Sequence, residues 1–159
     1  MPTIYLETII KAPVDRVFDL ARSIDLHMIS TKETNEKEIA GKTSGLINLN
    51  ETVTWRAKHF GIYQKLSVRI TRMQRPFLFE DKMLSGAFKS MEHVHRFEEF
   101  PGGTKMFDEF TFSAPLGPLG KLAERLFLTK YMKRFLVIRN QELKDIAESE
   151  KWKKLLTIN

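Results

Sequence analysis

A chain of 159 residues is the size of one ordinary domain, and 42% hydrophobic with 29% charged residues excludes a disordered or membrane-embedded chain. The absence of cysteine excludes disulfides and thiolate metal sites and suits a reducing compartment. The net charge of +6 is compatible with an anionic partner. No nucleic-acid-binding motif accompanies the dispersed basic residues, so we expect no nucleic-acid partner.

The N-terminal run MPTIYLETIIKAP alternates apolar and polar residues, which predicts a strand. Glu7 and Lys11 interrupt it and no basic segment precedes it, so it lacks the pattern of a signal peptide. No apolar stretch approaches the ~18 residues of a membrane span. We therefore expect a cytoplasmic protein with a single domain over residues 1–159.

Two short helices are predicted after this strand. Pro13 suits a first helical turn, and the apolar residues that follow recur at helical spacing up to a break near Ser23. Residues 30–45 are polar and rich in turn-forming residues, and they accommodate one edge strand.

Five strand-like segments follow in the middle of the chain. They alternate apolar and polar residues and read NETVTWRAKH, FGIYQKLSVRITRMQ, FLFEDKML, AFKSMEHVHRFEEF and TKMFDEFTFSAP. Pro101-Gly102-Gly103 is a strong hairpin signal between the last two, and Gly86 indicates a bend or bulge. Consecutive hairpin-connected strands predict an antiparallel sheet.

The C-terminal part predicts one long helix, because residues 121–154 contain no Gly or Pro. PLGPLG, residues 115–120, precedes it as a structural joint or, alternatively, a mobile gate. Two neighbouring apolar stripes follow the helix: Phe127, Tyr131, Phe135 and Ile138, and Leu128, Met132, Leu136 and Leu143. Because a curved antiparallel sheet needs a helix to cover it, we predict an α+β fold in which the sheet wraps around this helix.

Basic residues flank the apolar surface of the predicted helix. They are Lys121, Arg125, Lys130, Lys133, Arg134 and Arg139. The main interpretation is that the apolar face fills the concave side of the sheet. The alternative is weak contact of this helix with an anionic membrane.

His93 and His95 share one face of their predicted strand, because successive strand residues point to opposite faces. Met91 and Phe97 lie on the same face, which should therefore point inward. The neighbouring strands place Asp81 and Asp108 on their own inward faces. A lone buried charge costs several kcal/mol, so we expect at least one of the two histidines to bond a carboxylate.

This group of Asp81, His93, His95 and Asp108 has three interpretations. The first is a structural network that stabilises the core. The second is the polar end of an apolar cavity that orients a ligand. The third is an acid/base pair or a Zn²⁺ or Fe²⁺ site, although we expect no metal and no cofactor.

Two other side chains are assigned from their neighbours. Trp55 lies among Val53 and Ala57 and is predicted to belong to the core. His59 is assigned to the polar face of its strand and is predicted to lie on the surface.

The chain resembles the SRPBCC superfamily, also called START/Bet v 1-like, and within it the bacterial polyketide cyclase-like, ligand-binding proteins. The resemblance rests on ETIIKAPVDRVFDL, WRAKHFGIYQKLSVRI, PFLFEDKMLSGAFKSMEHVHRF, GTKMFDEFTFSAPLGPLGKLAERLF and MKRFLVIRNQELK, and covers nearly the whole chain. It implies a helix-grip fold, in which a seven-stranded antiparallel sheet wraps the C-terminal helix around a hydrophobic cavity. Many members have a Trp after the two short helices, where this chain reads IDLHMIS.

The resemblance also implies which residues face the cavity and bind ligand. They are Trp55, Phe60, Ile62, Phe79, Asp81, Met83, His93, His95, Phe97, Met106, Asp108 and Phe110. Since one fold serves many functions, three hypotheses stay open. They are carriage of a hydrophobic small molecule or lipid, a cyclase- or hydrolase-type enzyme with a catalytic Asp–His pair, and a membrane-peripheral or interaction module.

Overall fold

The computed structural model describes residues 1–156 and contains one seven-stranded antiparallel sheet. The order of strands across the sheet is β1-β7-β6-β5-β4-β3-β2. The strands are β1 Thr3–Ile10, β2 Lys37–Gly41, β3 Thr52–His59, β4 Ile62–Gln74, β5 Leu78–Gly86, β6 Ser90–Phe100 and β7 Gly103–Ser113. From β2 onward each strand pairs with the next along the chain, and β1 closes the order beside β7.

The helices lie at two places in the chain. They are α1 Val14–Ala21, α2 Ile24–Ser30, a short 3₁₀ turn Lys32–Thr34, α3 Gly117–Ala123, a π turn Glu124–Leu128, α4 Thr129–Ala147 and α5 Trp152–Leu156. The predicted helix-grip fold is confirmed, with two short helices after the first strand. Among residues 1–156, no helix is long and apolar enough to cross a membrane.

The local signals of the sequence act where they were expected. Ser23 separates α1 from α2, because its hydroxyl accepts the backbone N–H of Leu26 and caps the second helix. Gly102 has a φ of +113° in the tight turn between β6 and β7. The β4–β5 ladder shifts register between Ser67 and Val68, next to the pairing of Leu66 with Gly86, so the predicted bulge is present.

The long C-terminal helix differs from its prediction at both ends. It begins at Gly117, inside PLGPLG, and α4 ends at Ala147. The π turn interrupts it near its start, where Thr129 donates its hydroxyl to the carbonyl of Glu124. The buried stripe of α4 includes Met132, Leu136 and Leu143 and packs against the concave face of the sheet.

The hydrophobic core fills one end of the space between sheet and helices. Phe18 of α1 is fully buried and makes edge contacts with Phe79 and Phe97, at ring-centre distances of 5.4 and 5.3 Å. Met106 of β7 is buried in the same cluster. Helix α1 therefore closes this end, and the remaining space lies under α2 and the first half of α4.

Replacing Gly120 by alanine should lower the free energy of unfolding by about 2 kcal/mol, because an added Cβ must push its neighbours apart. That Cβ would lie 1.9 Å from the carbonyl oxygen of Pro115. Gly117→Ala is the comparison: its Cβ meets no atom within 4 Å, but its φ of +53° adds strain of about 1 kcal/mol. Urea denaturation measures both variants, and equal losses would contradict the steric argument.

Candidate functional site

A cavity of about 320 Å³ lies between the concave face of the sheet and helices α2 and α4. Its wall is mostly apolar and aromatic, with side chains from β3, β4, β5, β6, β7 and α4. Phe60 belongs to this wall and is also 57% exposed, so the cavity reaches the surface near the β3–β4 turn. Its size falls in the range of small-molecule sites, roughly 300–1,000 Å³.

The first polar feature of the wall is a buried hydrogen-bonded pair. His93 Nε2 lies 2.7 Å from Asp108 Oδ1, and the residue Asp108 is only 2% exposed. The expectation that a histidine of this strand bonds a carboxylate is thereby confirmed. The pair is diagonal in the ladder, because Asp108 is the direct partner of His95 and His93 faces Phe110.

Helix α4 supplies two further partners for Asp108. Asn140 donates from Nδ2 to Asp108 Oδ2 over 2.6 Å, and Arg139 places Nη1 3.8 Å from Oδ1. Arg139 is itself buried and donates to the carbonyl of Ala21 at the end of α1. Asp108 therefore connects the sheet to the helix that covers it.

The second histidine bridges the two carboxylates. His95 Nε2 lies 3.2 Å from Asp81 Oδ2, and its ring stacks on Phe79 at a centre distance of 4.1 Å. His95 Nδ1 lies 3.3 Å from Asp108 Oδ1, close enough for an ion pair but without hydrogen-bond geometry. Asp81 keeps 16% exposure of its side chain, so this carboxylate is the more accessible one.

Both aspartates are held in the ionised state. Burial alone would raise the pKa of Asp108, but the hydrogen bond from His93 and the nearby ring of His95 bring it well below its usual value. The pKa of Asp81 is lowered in the same way: burial opposes ionisation, and the hydrogen bond with His95 outweighs it only together with the electrostatic attraction of the nearby His93, His95 and Arg139. Each carboxylate therefore accepts hydrogen bonds across the physiological pH range.

His93 is held in the neutral state. Burial, reinforced by the neighbouring His95, lowers its pKa from 6.5 to about 4, although the bond to Asp108 acts in the opposite direction. Since Asp108 is ionised, the proton of the neutral ring lies on Nε2 and Nδ1 carries a lone pair. Nδ1 of His93 has no hydrogen-bond partner among residues 1–156. Unlike Nδ1 of His95, it is not completely buried. His93 thus offers an acceptor in the cavity wall.

The same group of residues meets the minimum geometry for a cation. Asp81, His93 and His95 each place one potential ligand atom within 4.8 Å of the others. Two imidazoles and one carboxylate are a donor set that Zn²⁺ and Fe²⁺ accept in proteins. Each carboxylate has a histidine partner without a metal, whereas Nδ1 of both histidines makes no hydrogen bond among residues 1–156.

A second polar group lies at the other side of the cavity. His27 Nε2 is 2.8 Å from Glu36 Oε1, and the ring of His27 packs on Trp55 at a centre distance of 4.2 Å. His59 Nδ1 is 2.5 Å from the hydroxyl of Tyr131. Burial lowers the pKa of His59, which favours its neutral form.

Solved structures share this architecture. A protein of Thermus thermophilus, TTHA0849, aligns over 91% of this chain and 95% of its own, with 19% identity and a TM-score of 0.74. The major latex-like protein 151 of Panax ginseng aligns over 93% and 98%, with 13% identity and a TM-score of 0.64. The KanY protein aligns over 94% and 100%, with 12% identity and a TM-score of 0.70.

The chain has the helix-grip fold of the START/Bet v 1-like superfamily. The sequence matches no protein-family model and no curated protein. Sequence identities below 20% indicate a shared fold but not a shared activity. The function is therefore inferred from the cavity between the sheet and helices α2 and α4.

Seven of the twelve residues predicted to face the cavity are part of its wall. Asp108 lies directly behind the wall, where it bonds His93. The seven are Trp55, Phe60, Phe79, Asp81, His93, His95 and Phe110. Trp55 is buried, as predicted, and is also part of the wall.

Four other predicted residues lie outside the wall, which corrects their assignment. Ile62 is 65% exposed, because it follows the β3–β4 turn beyond the edge of the cavity. Phe97 and Met106 point inward but are buried in the hydrophobic core at the end that α1 closes. Met83 packs against the edge of the core.

The prediction that His59 lies on the surface is also wrong. It is half-buried in the wall, because it has the same strand parity as Trp55 and Ala57 and its ring is covered by Tyr131. Tyr131 itself was assigned only to an apolar stripe.

Sequence reasoning missed the contribution of α4 to the polar group. Asn140 lies four residues after Leu136 and three before Leu143, on the buried stripe of the helix. A polar residue at such a position needs a partner, so its spacing was a usable signal. Glu36 carried no such signal, because it lies in a polar segment and is buried only by tertiary contacts.

Proposed function

We propose that this protein binds a mostly apolar small molecule in the cavity between the sheet and α4. The observation that carries the proposal is a cavity of about 320 Å³ with an apolar wall and a convergent polar group. An apolar wall supplies most of the binding free energy, and a few fixed polar groups set the orientation. The helix-grip fold of the solved neighbours is compatible with this proposal.

The ligand is expected to carry a hydrogen-bond donor, such as a hydroxyl group, at the end that meets β6. His93 Nδ1 is the acceptor there, because Nε2 is already committed to Asp108. Asp81 is the second acceptor within reach, since it is only partly exposed and stays ionised. A ligand that offers only acceptors would leave these groups unpaired and bind less tightly.

A second polar group on the ligand is expected at the opposite end. Glu36 belongs to the wall, and its Oε2 is buried without a hydrogen-bond partner among residues 1–156. Glu36 directly precedes β2, and β2 and β6 are four positions apart in the sheet, which corresponds to about 19 Å along its curve. We therefore propose an elongated or fused-ring ligand with polar groups near both ends.

Native and denaturing mass spectrometry of freshly purified protein should reveal a co-purifying molecule of a few hundred daltons. An extra mass that disappears on denaturation would support the proposal and give the mass of the ligand, which can then be extracted for identification. An extra mass of one zinc or iron ion would instead favour the metal interpretation of Asp81, His93 and His95. If both spectra show only the mass of the chain, no tightly bound ligand co-purifies. The binding of a fluorescent probe to cavity variants then decides.

Filling the cavity from β3 should weaken the binding of the fluorescent probe 1-anilinonaphthalene-8-sulfonate at least tenfold. Ala57 is buried in the wall, so Ala57→Leu and Ala57→Phe form a graded series that places new atoms in the cavity. Ala40→Phe, at an exposed position of β2, is the control and should leave binding unchanged. Fluorescence titration measures the dissociation constant, and circular dichroism checks folding. Equal binding by the wild type and both Ala57 variants would contradict the proposal.

The Asp108–His93 pair also supports a second candidate function, general acid/base catalysis. An efficient general base has a pKa near the working pH, whereas burial holds the pKa of His93 at about 4. The binding function is therefore favoured over the catalytic one. NMR titration of the imidazole in the free protein separates them: a value near 7 would favour catalysis, and one near 4 would favour binding.

A further inference from the structure

The start of the C-terminal helix and the tip of the β3–β4 turn form an exposed apolar surface, which we name the docking face. Its apolar members are 48 to 78% exposed. They are Leu116, Leu119, Leu122, Leu126, Phe127, Phe60 and Ile62. So many large exposed apolar side chains in one place are unusual for a monomer, and they indicate a binding surface.

The two parts of the docking face are in contact. The ring of Phe60 at the turn meets Phe127 of the helix at a centre distance of 5.6 Å and Tyr131 at 4.6 Å. The backbone of the turn is tight, with positive φ at both Phe60 and Gly61. Phe60 and Phe127 therefore join the turn to the helical part of the docking face.

The exposed charges on the helical part of the docking face are of one sign. Residues 115–137 contain five basic residues, and all five are exposed. Among residues 1–156, no carboxylate oxygen lies within 4.0 Å of their charged nitrogens. The five are Lys121, Arg125, Lys130, Lys133 and Arg134. The single acid of this range, Glu124, is buried and accepts the backbone N–H of Ala114. An apolar helical surface bordered by unpaired cations is complementary to a bilayer with anionic headgroups.

The docking face adjoins the cavity. Phe60 belongs to both, and Pro115 and Leu128, at the two ends of the helical part, line the cavity wall. We propose that the docking face binds an anionic lipid bilayer and inserts its leucines between the headgroups. The mouth of the cavity would then lie at the membrane surface. Docking rests on the exposed face alone, whereas exchange of a ligand with the bilayer rests on the proposed function.

Binding to phosphatidylcholine vesicles with about 30% phosphatidylserine tests the proposal, because basic residues near such an anionic surface strengthen binding. Co-sedimentation should show binding to these vesicles, weaker binding at high salt, and little binding to pure phosphatidylcholine. The charge variant Lys121→Gln/Arg125→Gln/Lys130→Gln should bind at least tenfold more weakly. The apolar variant Leu119→Gln/Leu126→Gln should lose a similar factor.

Matched controls remove the same groups elsewhere on the surface. Lys11→Gln/Arg69→Gln/Lys151→Gln lowers the net charge equally, and Tyr5→Gln/Ile39→Gln removes two exposed apolar side chains. Both controls should bind vesicles within about threefold of the wild type. If the controls lose as much as the docking-face variants, only net charge matters and the proposal is overturned.

Two other results would overturn the docking proposal. One is the absence of binding to anionic vesicles. The other is a stable dimer in light scattering that the Leu119→Gln/Leu126→Gln variant abolishes, because the face would then bind a second copy. The docking-face variants should still bind 1-anilinonaphthalene-8-sulfonate in vesicle-free buffer. Loss of vesicle binding with normal probe binding therefore separates this proposal from the proposed cavity function.

Discussion

Replacing Asp108 by asparagine is expected to lower the free energy of unfolding by about 3 kcal/mol, the cost of removing one partner of a buried charged pair. Asp108 accepts hydrogen bonds from His93 and Asn140, and Arg139 lies 3.8 Å away. An amide has one acceptor oxygen, and its NH₂ group would face a donor. The charge of the buried Arg139 would also lose its counterion.

Urea denaturation at pH 7 measures this loss. Asp145→Asn is the matched control, because Asp145 lies on the exposed side of α4 and should change stability by less than about 0.5 kcal/mol. Asn140→Ala should reproduce part of the loss, since it removes one donor to the same carboxylate. A loss at Asp108 as small as that at Asp145 would mean that the link between sheet and helix contributes nothing to stability.

Acidification from pH 6.5 to 4 is expected to remove up to about 3 kcal/mol of stability through His93 alone, because a tenfold change in proton affinity corresponds to about 1.4 kcal/mol. The folded protein holds the pKa of His93 at about 4, whereas the unfolded chain has the ordinary 6.5. Between these two pKa values, His93 is protonated in the unfolded chain and neutral in the folded protein. The contribution is therefore complete above pH 6.5 and is lost as the pH falls.

The aspartates act in a separate, more acidic window. Their pKa values are lowered on folding, so their contribution is present above the ordinary value of 3.8 and is lost only below it. His59, whose pKa burial also lowers, adds to the loss in the window of His93. Loss of stability near pH 5 thus reports on histidines, and loss below pH 4 on Asp81 and Asp108.

The variant His93→Gln isolates the first window. Glutamine can still donate to Asp108 but does not titrate, so the slope of stability between pH 6.5 and 4 should become shallower. His59→Gln should flatten the curve less, since His59 is only half-buried. Thermal denaturation over this pH range measures the slopes. An unchanged slope in His93→Gln would show that its pKa is not depressed by folding.

The period of two along the strands was enough to predict which side chains share a face. Because a strand places every second residue on the same side, His93 and His95 had to lie together, and Asp108 had to face the same side from the next strand. The free-energy cost of an unpaired buried charge was then enough to predict a histidine–carboxylate bond. These conclusions depend only on local geometry and desolvation.

The division of the inward face into core and cavity required the tertiary structure. Phe97 and His93 have the same parity on β6, yet α1 packs on Phe97 and leaves the wall at His93 open. Where a helix is placed over a sheet depends on contacts between residues far apart in sequence. The partners from α4 are a second example, since Asn140 lies 32 residues from Asp108 along the chain.

Strand period, turn residues and apolar stripes were therefore enough to predict the fold and the histidine–aspartate part of the polar group, but not its partner Asn140. Which part of the C-terminal helix is covered could be seen only in the folded protein. The sheet buries Met132, Leu136 and Leu143, while the leucines near residue 120 stay exposed beside exposed basic residues. The apolar pattern is the same in both halves of the helix, and only the reach of the sheet distinguishes them.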